Sequence, residues 1–125
     1  MTTSSRIDAH LAAARATLRR VDVDALADEM AAGALVVDIR PERDRLAEGA
    51  LPGAVVIDRN VLEWRLDPTS GHHLPVASFD RRVILVCNEG YASSLAAATL
   101  VELGVTGATD LVGGYSAWAV SQPPR

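Results

Sequence analysis

Apolar residues in this chain fall into two patterns, and the two alternate along it. Continuous runs with β-branched residues occupy residues 34–39, 55–58 and 83–86. A weaker run lies near 109–112. Uninterrupted apolar runs of this length predict strands buried on both faces. Between them the spacing turns helical. Ile7, Leu11, Ala14 and Leu18 recur at i, i+4, i+7 and i+11, one face of a helix that Ser5 and Asp8 would cap. A second short helix is expected through Leu26 and Met30, capped by Asp22 and stopped at Gly33. Pro41 opens a short charged helix through Arg43 and Leu46. A helical turn is expected over 61–65, an alanine-rich helix over 95–103 closed by Gly104, and a last helix over 115–120. Residues 59–80 are otherwise irregular, punctuated by Pro68, Gly71 and Pro75. Short apolar strands alternating with helices predict an α/β fold, a mostly parallel sheet covered on both faces.

The length of 125 residues suits one domain with a single core. The expected division is an accessory helix over 1–20, one domain over 21–121 and a frayed tail over 122–125. The 49% hydrophobic content excludes a disordered chain. The formal charge of -4 leaves no basic footprint for nucleic acid. No apolar run approaches the ~20 residues of a membrane span. One cysteine excludes an internal disulfide and points to a reducing, cytoplasmic setting. All twelve basic residues are arginine, so an arginine here carries less functional weight than usual. The same bias accounts for the transit-peptide-like composition of residues 1–20.

That cysteine, Cys87, ends the third strand and opens a short loop: Asn88, Glu89, Gly90, Tyr91, Ala92, Ser93. A thiol between the carboxyl end of a buried strand and a helix N-terminus sits where backbone N–H groups converge. Such a place favours an anion on sulfur. In an open parallel sheet, ligands bind outside the carboxyl ends of the strands, where this loop falls.

The pattern Cys87-x-x-Gly90-x-x-Ser93, entering an alanine-rich helix, resembles the active-site loop of rhodanese-like sulfurtransferases. Three further segments strengthen the resemblance. Residues 37–40 look like the family's Asp-x-Arg strand end, with Asp38 and Arg40. Residues 48–54 are similar to its Gly-His-Ile-Pro-Gly-Ala turn, with Ala50 in place of histidine. Residues 111–118 look like its Gly-Gly-x-x-x-Trp signature. The resemblance implies the rhodanese three-layer fold and a persulfide mechanism with Cys87 as nucleophile. Sulfur would come from a small donor and pass to a thiol, a cyanide-like nucleophile or a protein, with no cofactor and no metal.

Within that reading, N–H groups of residues 88–93 would curl around the sulfur. Gly90 would take positive φ, and Ser93 would cap the next helix while donating inward. Positions where many relatives carry a cation hold Asn88 and Ala92, so the cradle is expected to rest on backbone N–H groups and Ser93. Glu89 is expected to face solvent or pair with an arginine. Arg59 and Arg40 are the candidate substrate-binding residues. Arg59 follows the second strand, whereas Arg40 also suits a loop-bracing role with Asp38. Tyr91 lines the pocket mouth or covers the helix start. Trp64 and Trp118 are read as packing residues, and His72 and His73 as a solvated loop without metal-ligand spacing. A non-catalytic binding or sulfur-sensing module is the alternative. A phosphatase on the same fold would need an arginine six positions after the cysteine, where Ser93 stands.

Overall fold

The computed structural model describes residues 5–123. Pro124 and Arg125, half of the expected frayed tail, lie outside the described residues, as do residues 1–4 of the transit-peptide-like stretch. The order is α1 (Arg6–Ala16), α2 (Val23–Ala31), β1 (Leu35–Asp38), α3 (Glu42–Glu48), β2 (Val55–Val56), a 3-10 turn (Arg59–Val61), α4 (Leu62–Leu66), β3 (Val83–Val86), α5 (Ala92–Glu102), β4 (Ala108–Asp110) and α6 (Gly114–Ser121). The four strands form one parallel sheet in the order β2-β1-β3-β4.

Alternation along the strands splits the core in two. Leu35, Val37, Val83, Leu85 and Cys87 face α4 and α5, meeting Leu62, Leu66, Ala96 and Leu100. Val36, Ile84 and Val86 face the other way, onto Leu26, Leu51, Leu111 and Tyr115. Both faces are therefore covered, which is why β1 and β3 are buried throughout. Helix α1 lies outside α5 and buries Ala14 there, whereas Ile7, expected on its packed face, is exposed.

Several boundaries differ from the sequence expectation. The second strand pairs over only Val55 and Val56, and both are exposed, because it is the sheet's edge and has no helix over it. The fourth strand covers 108–110 rather than 109–112, with Leu111 making one further bridge to Val21. Asp22 stands at the N-cap of α2 without a side-chain hydrogen bond, whereas Ser5 and Asp8 form the expected capping box. Trp64 is exposed, so it is not a packing residue; Trp118 stacks on Tyr115 at 5.5 Å. Among the described residues no helix is long and apolar enough to cross a membrane.

The strand order has a consequence for ligands. From β1 the chain moves outward to β2, then returns to the far side of β1 as β3. The direction reverses between β1 and β3, and in open parallel sheets the crevice at that reversal is where ligands bind.

Candidate active site

A cavity of about 410 Å³ opens at that crevice. Ile39, Arg40 and Pro41 line it from the end of β1, Arg59 from beyond β2, and Cys87, Asn88, Glu89, Tyr91 and Ala92 from the loop after β3. Of the loop positions singled out from sequence, Gly90 and Ser93 lie beneath the lining rather than in it, buried behind the sulfur.

Cys87 is 8% exposed: it belongs to the core and also lines the cavity. Two backbone N–H groups donate to Sγ, Gly90 at 3.2 Å and Ser93 at 3.4 Å. The nest is thus narrower than six converging donors. Gly90 has φ 86°, as the curl requires, and a Cβ there would lie 2.8 Å from the nitrogen of Gly113. Ser93 does not cap α5. Helix α5 begins at Ala92, so Ser93 is its second residue and its N–H is one of the free donors of the first turn. Its hydroxyl turns inward instead. It accepts from Cys87 Sγ at 3.2 Å and donates to Asp110 Oδ2 at 2.7 Å.

The flanking motifs converge on this loop for identifiable reasons. The N–H groups of Tyr115 and Ser116 donate to the carbonyls of Cys87 and Asn88 at 2.8 and 3.0 Å. That approach needs Gly114, where a Cβ would collide with the Cys87 carbonyl oxygen. Arg40 is 2% exposed and spans the motifs: its guanidinium bonds both Asp38 oxygens, donates to the Gly49 carbonyl and lies 3.8 Å from the centre of the Tyr115 ring. Tyr115 in turn donates to the Glu48 carbonyl. Arg40 touches the cavity, yet its charge is matched by Asp38 behind it. Arg59 reaches the cavity wall with Nη1 held by both oxygens of Glu63, at 2.8 and 2.9 Å. Glu89 is exposed and forms no ion pair among the described residues, so it faces solvent as expected. Asn88 donates to Asp44 of α3. Tyr91 lines the mouth, beneath the Arg15 guanidinium.

Sequence reasoning missed the residues behind the loop. Asp110, completely buried, accepts from Ser93, Ser94 and Arg20. Arg15 and Arg20 both donate to the Gly90 carbonyl, at 2.7 and 2.9 Å, and Arg15 also donates to Ser94. The loop therefore has cationic neighbours, supplied from α1 and the segment after it rather than from the loop itself. One signal was present: an aspartate inside a buried strand is almost never left without a partner. Among the described residues no three His, Cys, Asp or Glu side chains gather as a metal site.

The family model of the rhodanese-like domain matches residues 22–121. The chain belongs to the rhodanese-like family. It is 34% identical over 92 residues to the thiosulfate sulfurtransferase GlpE of Pseudomonas fluorescens, covering 73% of this chain and 75% of that protein. Its fold is similar to the human single-domain sulfurtransferase TSTD1, with a TM-score of 0.69 at 25% identity, over 83% of this chain and 97% of that one. It is also similar to a protein of unknown function from Rhodopseudomonas palustris, named a possible tyrosine phosphatase, with a TM-score of 0.86 at 29% identity. That likeness covers 99% of this chain and 96% of the other. The rhodanese-like match begins after Arg15 and Arg20, so both residues that grip the Gly90 carbonyl from behind stand outside it.

Proposed function

We propose that this rhodanese-like chain is a sulfurtransferase that carries sulfane sulfur as a persulfide on Cys87. The observation that carries the reading is the cysteine itself, set in the cavity lining with its sulfur held by the N–H groups of Gly90 and Ser93. The ionised sulfur attacks the sulfane or thiol sulfur of a donor and a new S–S bond forms at Cys87, while the donor's S–S bond breaks to release a thiolate or sulfite or, in mercaptopyruvate, its C–S bond breaks to release pyruvate enolate. A thiol, a cyanide-like nucleophile or a protein thiol then attacks the terminal sulfur and Cys87 returns as thiolate. No second cysteine exists to resolve the persulfide within the chain, so the acceptor is external. A reducing, cytoplasmic setting suits a single free thiol.

Thiosulfate, a dianion, is a weak donor in this reading. Arg40 and Arg59 are each paired, the first with Asp38 and the second with Glu63, and although Arg40 Nη1 has no hydrogen-bond partner among the described residues, the unpaired Glu89 carboxylate on the same lining repels an anion. A phosphatase reading is less well supported. It needs an arginine fork on the oxyanion, whereas position 93 is serine and Arg15 and Arg20 point at a carbonyl behind the loop.

The test is intact mass after incubation with thiosulfate, mercaptopyruvate and a small organic persulfide. One added sulfur is expected on the parent and none on Cys87→Ser. No adduct from any of the three donors would overturn the proposal in favour of a binding module.

A further inference from the structure

The sulfur sits at one end of a hydrogen-bonded chain that crosses the fold. Cys87 Sγ meets Ser93 Oγ at 3.2 Å, Ser93 Oγ meets Asp110 Oδ2 at 2.7 Å, and Asp110 Oδ1 meets Arg20 Nε at 2.8 Å. Asp110 is fully buried at the end of β4, and Arg20 is its only ion-pair partner among the described residues. Ser93 has one proton, and Asp110 takes it. The Ser93 oxygen therefore presents lone pairs to the sulfur, an arrangement that suits S–H and opposes S⁻. The buried carboxylate, two hydrogen bonds from the sulfur, opposes S⁻ as well. Arg20 offsets that charge from the far side.

We infer that Ser93, Asp110 and Arg20 are positioning residues that set the ionisation of Cys87, with Asp110 holding the sulfur toward the thiol and Arg20 toward the thiolate. The cation that the loop lacks at Asn88 and Ala92 thus acts from residue 20, outside the matched domain and through an acid inside the core. No proton need travel the chain; the Ser93 hydroxyl is turned one way or the other. The remaining charged groups near the sulfur stay as they are in each comparison. Arg40 is matched by Asp38 and Arg59 by Glu63, Glu89 faces solvent, and Arg15 donates to the Gly90 carbonyl beside Tyr91.

The proposal rests on Cys87 being the reacting thiol. Its test reads alkylation rather than sulfur transfer, so the two readings fail separately. The rate of Cys87 alkylation is measured against pH in the full chain. Asp110→Asn leaves an amide that can donate to Ser93 and free the serine proton for the sulfur. Its alkylation midpoint is expected to move down by about one pH unit. Arg20→Gln leaves the buried acid unmatched, and its midpoint is expected to move up by a similar amount. The double variant is expected to return toward the parent, and Arg20→Lys, which keeps the charge, to stay nearer the parent than Arg20→Gln. A purely structural role would loosen the loop in both single variants and move both midpoints in one direction, which would overturn the proposal. The Ser93→Ala background tests the link itself, because the Asp110→Asn shift is expected to shrink there by at least half. An undiminished shift without Ser93 would overturn the part assigned to the serine.

Discussion

The two sides of the cysteine loop are built from opposite materials. Behind it, Arg15, Arg20, Ser94 and Asp110 interlock through hydrogen bonds within a few ångströms of the Gly90 carbonyl. In front of it, the cavity is walled by Ile39, Pro41, Tyr91 and Ala92, and its two arginines are each held by their own carboxylate. Unmatched positive charge is therefore kept from the substrate, where the one unpaired charge on the lining, among the described residues, is the Glu89 carboxylate, and cations are placed where they act on the loop. Under the proposed function this would separate two tasks: the rear would set the state of the thiol, and the front would select donors by fit and apolar contact more than by attraction to a cation. The comparison can be broken at the front by asking whether its arginines are structural or substrate-facing.

The largest effect is expected at Arg40. Its guanidinium is buried with Asp38, and removing it leaves that carboxylate buried and unmatched. Breaking one side of a buried pair costs about 3–5 kcal/mol. Arg40→Met is expected to lower the urea midpoint accordingly, with an unchanged denaturant slope. A loss under about 1 kcal/mol together with a collapse of donor turnover would instead make Arg40 a substrate residue, and the front would no longer be the side without a substrate-facing cation.

The contrast between the sides also explains what could be read from sequence. The front was legible because its parts are local. A continuous apolar run fixes β3, the sole cysteine follows it, and Gly90 and the Gly113-Gly114 pair announce tight backbone. The rear was not legible, because it joins residues 90 positions apart, Arg20 and Asp110. Arginine abundance hid Arg15 and Arg20, two of twelve arginines in the chain. Of the two roles expected of Ser93, the inward donation is present and the cap is not. A capping hydroxyl accepts from the first-turn N–H groups, but α5 begins at Ala92, so Ser93 stands inside the first turn and its oxygen accepts from Cys87 Sγ while its proton goes to Asp110. The two-residue β2 and Trp64 failed on tertiary grounds: β2 is the sheet's edge, and Trp64 stands exposed on α4 while Leu62 and Leu66 of the same helix take the core, so an apolar residue at either place does not mean burial.

A smaller effect sharpens the front. Glu63 occupies Arg59 through an i, i+4 pair that is partly exposed on both sides. Such pairs contribute about 0.3–0.5 kcal/mol to stability, so Glu63→Gln should hardly change the melting temperature. It releases a cation at the cavity wall. Thiosulfate kcat/KM is expected to rise several-fold at low salt and the gain to fade as salt is added, while turnover of an uncharged dialkyl trisulfide stays level. Equal gains for both donors would mean that Glu63 shapes the cavity and does not mask a charge.

The smallest effect comes from the opposite end of the sheet and separates stabilising charge from chemically coupled charge. Arg82, just before β3, holds Glu29 of α2 at 2.8 Å, and its hydrogen bonds keep the Glu29 carboxyl below its usual range. A carboxyl whose folded value is depressed binds its proton more readily when unfolded. Its contribution is therefore complete above the ordinary value of 4.5 and is lost as the pH falls through the lower folded value. Arg82→Gln is expected to cost about 0.2–1 kcal/mol at neutral pH, in keeping with a pair that is about a third exposed on each side. The gap between parent and variant, followed by urea unfolding as a function of pH, should close below that folded value. The alkylation profile of Cys87 should not move, because Arg82 has no bonded route to the sulfur. A shift as large as that of Arg20→Gln would mean that any lost arginine perturbs the thiol, and the rear of the loop would lose its special standing.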